Sequence, residues 1–204
     1  MNQRFFHAML CASWLLSGCG PAPTGPEMPA FDADAAADRA LLELDKNPDG
    51  EIDSAEAKQC PAIAESFSLF DQDRSGKISK AELAARFDSY NTGHVALFNW
   101  SCQVTSAGRP VSGAQVTLVP ESFLGEHFRP ATGTTDQAGV AAPEIDPASL
   151  KGVGFGLYRI SISKKDAAGS ESVPEKYNAK TTLGQELAAG VRSAESTRTI
   201  SISN

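Results

Sequence analysis

Two stretches of the chain place oxygen-bearing groups at alternate positions. DQDRSGKISKAE, residues 71–82, carries Asp71, Asp73, Ser75, Lys77 and Ser79 at every second place, with Gly76 at the centre and Glu82 at the end. DKNPDGEIDSAE, residues 45–56, repeats the order with Asp45, Asn47, Asp49, Glu51 and Asp53 around Gly50, closing on Glu56. Spaced oxygens suit a hard cation. Calcium takes six to eight of them, and a twelve-residue loop can wrap it when oxygens point inward from positions 1, 3, 5, 7, 9 and 12. Position 7 serves through its backbone carbonyl, so Glu51 and Lys77 enter as main-chain ligands whose side chains are free to vary. Ser79 at position 9 acts through water, and the closing glutamates offer both oxygens. Position 6 must turn sharply, which glycine does at least cost. Ile52 and Ile78, at position 8, face away from the ion and can form a short antiparallel bridge between the loops. Acidic solvated turns would explain the charge, but not the glycine, isoleucine and glutamate at matching places in both copies. The sequence therefore predicts two calcium sites. The first has four carboxylates (Asp45, Asp49, Asp53, Glu56) and the second three (Asp71, Asp73, Glu82). Fewer charges generally mean weaker binding, although rigidity also matters.

Both loops resemble the EF-hand family, with no position missing from either, and residues 31–94 read as an EF-hand pair. The resemblance implies helices over about residues 31–44, 54–60, 61–70 and 80–90. Ala40, Leu41 and Leu44 share one helical face, and Pro61 suits a first turn, where no backbone donor is needed. Only 14 residues separate the loops, so the connecting helices are short and the pair can open little. No methionine lies within residues 31–99, whereas promiscuous sensors use Met-rich grooves. Structural or buffering binding is the expectation. A third stretch, residues 88–99, has Gly93 at position 6 but Tyr90 at position 3 and Asn99 at position 12; it reads as a helix stop and turn.

The two halves differ in charge. Residues 31–99 hold 14 acidic and 7 basic side chains, whereas residues 100–204 hold 10 of each. Nearly all of the chain's net charge of −7 lies in the first half, which favours a cation and excludes nucleic acid, whose partners need a basic footprint. Texture changes as well. WSCQVT, AQVTLV, LYRISIS and TRTISIS are β-branched or alternating and separated by Gly and Pro, so a helical module precedes an all-β one. Val104, Val116, Leu118, Ile160, Ile162, Ile200 and Ile202 are its expected core. Gly108 and Pro110 with Gly113, Ala114 and Val116, then Thr135-Asp136 with Gly139, then Gly156 and Tyr158 with Ile160 and Ile162, resemble the carboxypeptidase regulatory-like family. That resemblance covers residues 95–204 and implies a transthyretin-like, Greek-key antiparallel β-sandwich without catalysis. The fold class is thus α + β, a helical pair followed by a sandwich. PEKYN (174–178) and TTLG (181–184) read as a loop over the sandwich edge.

The N-terminus carries a further expectation. Arg4 precedes an apolar run over residues 8–16, too short to span a bilayer, so residues 1–18 read as a secretory signal. Leu16-Ser17-Gly18-Cys19 resembles the bacterial lipobox, which implies a lipid on Cys19 and a membrane-anchored, extracytoplasmic protein, periplasmic or at the cell surface. Proline and glycine make residues 19–30 a flexible tether. Outside the cytoplasm Cys60 and Cys102 are either bridged or two buried thiols. His7 leaves with the signal, His94 and His127 are isolated, and no nucleophile–base pair is evident, so no enzyme is expected. A calcium-binding envelope protein that contacts an envelope or matrix partner is the leading reading. A calcium-responsive accessory subunit stands beside it, and so does a carbohydrate-binding appendage, for which Trp100 alone would be too little.

Overall fold

The computed structural model describes residues 31–91, 97–146, 151–191 and 197–203. Residues 1–30, read as signal and tether and including Cys19, lie outside the described residues, as do residues 92–96 of the 88–99 stretch with His94. No helix among the described residues is long and apolar enough to cross a membrane.

The helical half begins with α1 (Ala33–Leu44), whose Asp32 cap accepts from the Ala35 N–H at 2.9 Å. It buries Ala36, Ala37, Ala40 and Leu44, the face set by the helical repeat. The first loop follows, with β1 (Glu51–Asp53) inside it. The helix expected over 54–60 is a single 3-10 turn, Glu56–Gln59. The helix expected over 61–70 is broken into α2 (Pro61–Glu65) and α3 (Phe67–Phe70). At the break the Ser66 N–H is shared between the Ala62 and Ile63 carbonyls, at 3.2 and 3.1 Å. Helices this short are not stable alone; tertiary packing holds them. The second loop contains β2 (Lys77–Ser79) and leads into α4 (Lys80–Asp88). β1 and β2 pair antiparallel with Ile52 opposite Ile78, both fully buried, as the position-8 spacing predicts.

The second half contributes β3 (Leu97–Phe98), β4 (Cys102–Ser106), β5 (Arg109–Pro110), β6 (Gln115–Pro120), β7 (Ala131–Thr134), β8 (Val140–Ala141), β9 (Val153–Gly154), β10 (Gly156–Ser163), β11 (Gly184–Leu187) and β12 (Arg198–Ile202). One antiparallel sheet runs β11-β10-β6-β7. A second runs β12-β4-β5, with β8 also on β4, and β12 joins β4 in parallel. All seven expected core residues are buried, and those of both sheets belong to one hydrophobic core. Alternation along β4, β6 and β12 places every second side chain inward.

That core does not stop at the boundary between the halves; it runs on through Leu83, Phe87, Ile63 and Leu44. Phe87 of α4 stacks on Phe123 at 5.8 Å between ring centres, and Phe31 meets Phe128 edge-on at 4.9 Å. The Arg39 guanidinium donates to the Phe123 carbonyl at 2.8 Å. α2 lies against β11, and a side chain at Gly184 would collide with the backbone of Pro61 and Ala62. All four residues of β11 are buried, because α2 covers the face that the sheet does not. TTLG therefore delivers the chain into a strand rather than closing a loop.

Cys60 and Cys102 are free, buried thiols, which settles the open alternative against a bridge. Cys60 faces the interface, where its Sγ donates to Glu121 Oε1 at 3.3 Å, while Cys102 lies inside the sandwich on β4. Burial pushes both thiols up, Cys102 to about 12, with the Glu121 carboxylate adding to the rise at Cys60.

Candidate metal centre

The two loops share an internal hydrogen-bond scheme. In the first, Asp45 Oδ2 accepts from the Gly50 N–H at 2.9 Å, and Glu56 Oε1 accepts from the Lys46 and Asn47 N–H groups at 2.8 and 3.2 Å. In the second, Asp71 Oδ2 accepts from Gly76 at 3.0 Å, and Glu82 Oε1 from Gln72 and Asp73 at 2.8 and 3.3 Å. The glutamate at position 12 is thus drawn inward over the start of its own loop in both. Gly50 and Gly76 have φ of 83° and 86°, the left-handed region that the sharp turn requires. Ser79 and Glu82 form a reciprocal cap on α4, with the Ser79 N–H on Glu82 Oε2 at 2.9 Å. Asp53 does the corresponding work in the first loop, accepting from Ala55 and Glu56 at 2.7 and 2.9 Å.

Electrostatics follow from these contacts. The Ser75 N–H and hydroxyl hold Asp73 below the usual carboxylate range. Burial pushes Glu82 up, but hydrogen bonds from Ser79, Asp73 and Gln72 outweigh it and leave the group lowered. Both stay ionised at neutral pH, as a cation ligand must.

The loops then part. Asp71, Asp73 and Glu82 each bring one oxygen within 4.8 Å of the others, the one such group of three among the described residues. Ser75 Oγ lies beside them, donating to the Lys77 carbonyl at 3.1 Å. In the first loop Asp45, Asn47, Asp49, Glu51, Asp53 and Glu56 surround the same turn, but their carboxylates do not converge as closely. One reason is Lys77. Its ammonium crosses from the second loop to pair with Asp49 Oδ2 at 2.6 Å and with Glu51 Oε2 at 3.3 Å. That contact lowers Asp49 and raises Lys77. A second reason is at position 4. Arg74 adopts φ of 61° in the second loop, a conformation that the ring of Pro48 denies to the first.

The donor sets fit calcium. They are all oxygen, the charge is negative, and Asp45 Oδ1 is buried in the first loop with no hydrogen-bond partner, a group that burial disfavours unless something polar or charged meets it. Residues 63–87, the second loop with its flanking helices, match the family model described as EF hand. No curated protein and no solved structure matches the chain. The match and the acidic cluster together support calcium binding by a helical EF-hand region, followed by a β-rich one.

Sequence reasoning missed the polar contacts that join the halves. Arg86 Nε of α4 pairs with Glu186 Oε1 of β11 at 2.7 Å, and the Tyr90 hydroxyl donates to the same oxygen at 2.8 Å. Arg159 Nε pairs with Glu121 Oε2 at 3.0 Å, and its Nη2 donates to the Gln59 carbonyl at 2.8 Å. Arg198 grips Glu65 through both nitrogens, at 2.9 and 2.8 Å. The only available signal was a Glu inside an otherwise strand-length apolar stretch, GQELAA. Trp100 is 1% exposed, so it offers no binding platform.

Proposed function

We propose that the chain is a calcium-stabilised, non-catalytic protein of the cell envelope, with two calcium sites in the helical half and a β-sandwich that carries the partner contact. The observation that carries the reading is the convergence of Asp71, Asp73 and Glu82 in one loop. Asp71, Asp73, Ser75, Ser79, Glu82 and the Lys77 carbonyl would hold one ion, and Asp45, Asn47, Asp49, Asp53, Glu56 and the Glu51 carbonyl the other. Calcium supplies the positive charge that lets these carboxylates sit together; the chain supplies the turn at glycine and the pinned glutamate at position 12.

A structural role is favoured over a sensor's switch. The apolar faces of α1 and α4, which a target helix would need, are buried in the core shared with the second half, where Phe87 of α4 stacks on Phe123 and Phe31, just ahead of α1, meets Phe128. The lipobox-like Leu16–Cys19 segment supports a lipid anchor on Cys19 and an extracytoplasmic site, where millimolar calcium fills even weak loops. The Gly- and Pro-marked turns of residues 95–204 support a carboxypeptidase regulatory-like sandwich as the binding half.

The test is a thermal melt of the full chain in excess calcium and in chelator. Calcium at about a hundred times its Kd adds roughly 2.7 kcal/mol, a rise in Tm of roughly 5–10 °C for a chain of this size. An identical melt in both conditions would end the calcium reading.

A further inference from the structure

We propose that Lys77 is a built-in cation that competes with calcium for the first loop, so that the second loop fills first. The proposal rests on the reading of both loops as calcium sites and concerns how they are regulated. Lys77 belongs to the second loop, where its carbonyl is the ligand and its side chain has no assigned role. The β1–β2 register sets its Cα opposite Asp53, and its ammonium reaches back over the first loop to Asp49 and Glu51, at 2.6 and 3.3 Å. Asp49 is the position-5 ligand there. Its other oxygen, Oδ1, already accepts from the Glu51 N–H at 3.1 Å. Both oxygens of one ligand are therefore taken, while Asp45 Oδ1 in the same loop is buried with no partner.

The second loop carries no counterpart. Among the described residues no lysine or arginine pairs with Asp71, Asp73 or Glu82, and those three carboxylates converge. Carboxylate count alone ranks the first loop as the stronger site; the lysine cancels part of that advantage. Its side chain is 40% exposed, so it can leave Asp49 without disturbing the core. Uptake in the first loop then includes the displacement of an ammonium, and calcium entering there sits close to a positive charge.

The experiment is calorimetric titration of calcium into the chelator-stripped full chain carrying Glu82→Gln, which leaves residual uptake to the first loop. Adding Lys77→Met, which keeps the aliphatic stem, is expected to tighten that uptake roughly five- to tenfold at low ionic strength, with the difference shrinking as salt is raised. Lys77→Arg in the same background restores the weaker value. Unchanged or weaker uptake with Met, or no uptake with either residue, overturns the proposal while the unsubstituted chain still takes up calcium. An unsubstituted chain that takes up none removes the calcium reading itself, which keeps the two failures distinct.

Discussion

The two loops obey one twelve-position pattern and differ in what else holds their oxygens. In the second, the backbone and Ser79 hold the carboxylates, which converge; in the first, a lysine from the neighbouring loop occupies one ligand and Pro48 fixes the turn differently. The elements that leave the loops differ in parallel. The turn after the first loop meets Glu121, whose cation, Arg159, comes from the sandwich itself. α4, after the second loop, brings its own cation, Arg86, to Glu186 on β11. The second loop is thus the better organised of the two, and its exit helix supplies the cation of its own anchor. Ligand count alone would rank the loops the other way.

Substitutions can break or sharpen this contrast. The largest effect is expected at the interface. Glu186→Ala leaves the Arg86 guanidinium, only 17% exposed, without its partner, a loss of about 3–5 kcal/mol in denaturant unfolding. Glu121→Ala leaves Arg159, which is 36% exposed and can turn to water, so about 1–2 kcal/mol is expected. Equal losses would mean that the two anchors are equivalent. Next, Glu82→Gln is expected to weaken the tighter calcium uptake roughly a hundredfold, or about 2.7 kcal/mol, by removing a bidentate closing ligand. Gly76→Val and Gly50→Val test the scaffold without the ion. A Cβ at either meets nothing within 4 Å, so the cost is conformational, about 1–2 kcal/mol and similar for both in chelator. A clear difference between them would place the asymmetry in the turns rather than in Lys77.

The smallest effect lies in the β half. Burial pushes Glu171 up, but the Ser163 hydroxyl and the Lys164 and Val173 N–H groups hold it near about 2, below its ordinary 4.5. A carboxylate lowered by folding contributes stability above its unfolded value and loses it as pH falls through the folded one. Its contribution is therefore complete above about pH 4.5 and gone below about pH 2. The group is solvent-facing, so Glu171→Gln should flatten the acid unfolding curve in that window only slightly; a large change would show these hydrogen bonds to matter more than their exposure implies.

Much of this was legible in the sequence because it is local. Twelve-residue spacing pointed to the Asp71, Asp73 and Glu82 cluster, the glycine turns and the Ile52–Ile78 bridge, and alternation picked out the sandwich core. What was not legible is long-range. Position 7 was assigned through its carbonyl, so nothing in the second loop's pattern says that the Lys77 side chain reaches Asp49 in the first. TTLG was read as a loop, but Gly184 starts β11, where α2 packs on it, and Glu186 two residues on is buried under Arg86 and Tyr90. The helix expected over 61–70 breaks at Ser66 because 14 residues must both leave one loop and enter the next. Cys60 and Cys102 left a bridge open in the sequence, and only the packing shows that Cys60 faces Glu121 while Cys102 faces the sandwich interior.

The most direct measurement compares calcium titrations of the unsubstituted chain, Glu56→Gln and Glu82→Gln, each stripped with chelator beforehand. The expected result is saturable uptake in the parent chain, with the tighter transition kept in Glu56→Gln and lost in Glu82→Gln. No uptake up to several millimolar calcium, or loss of the tighter transition in Glu56→Gln instead, would contradict it.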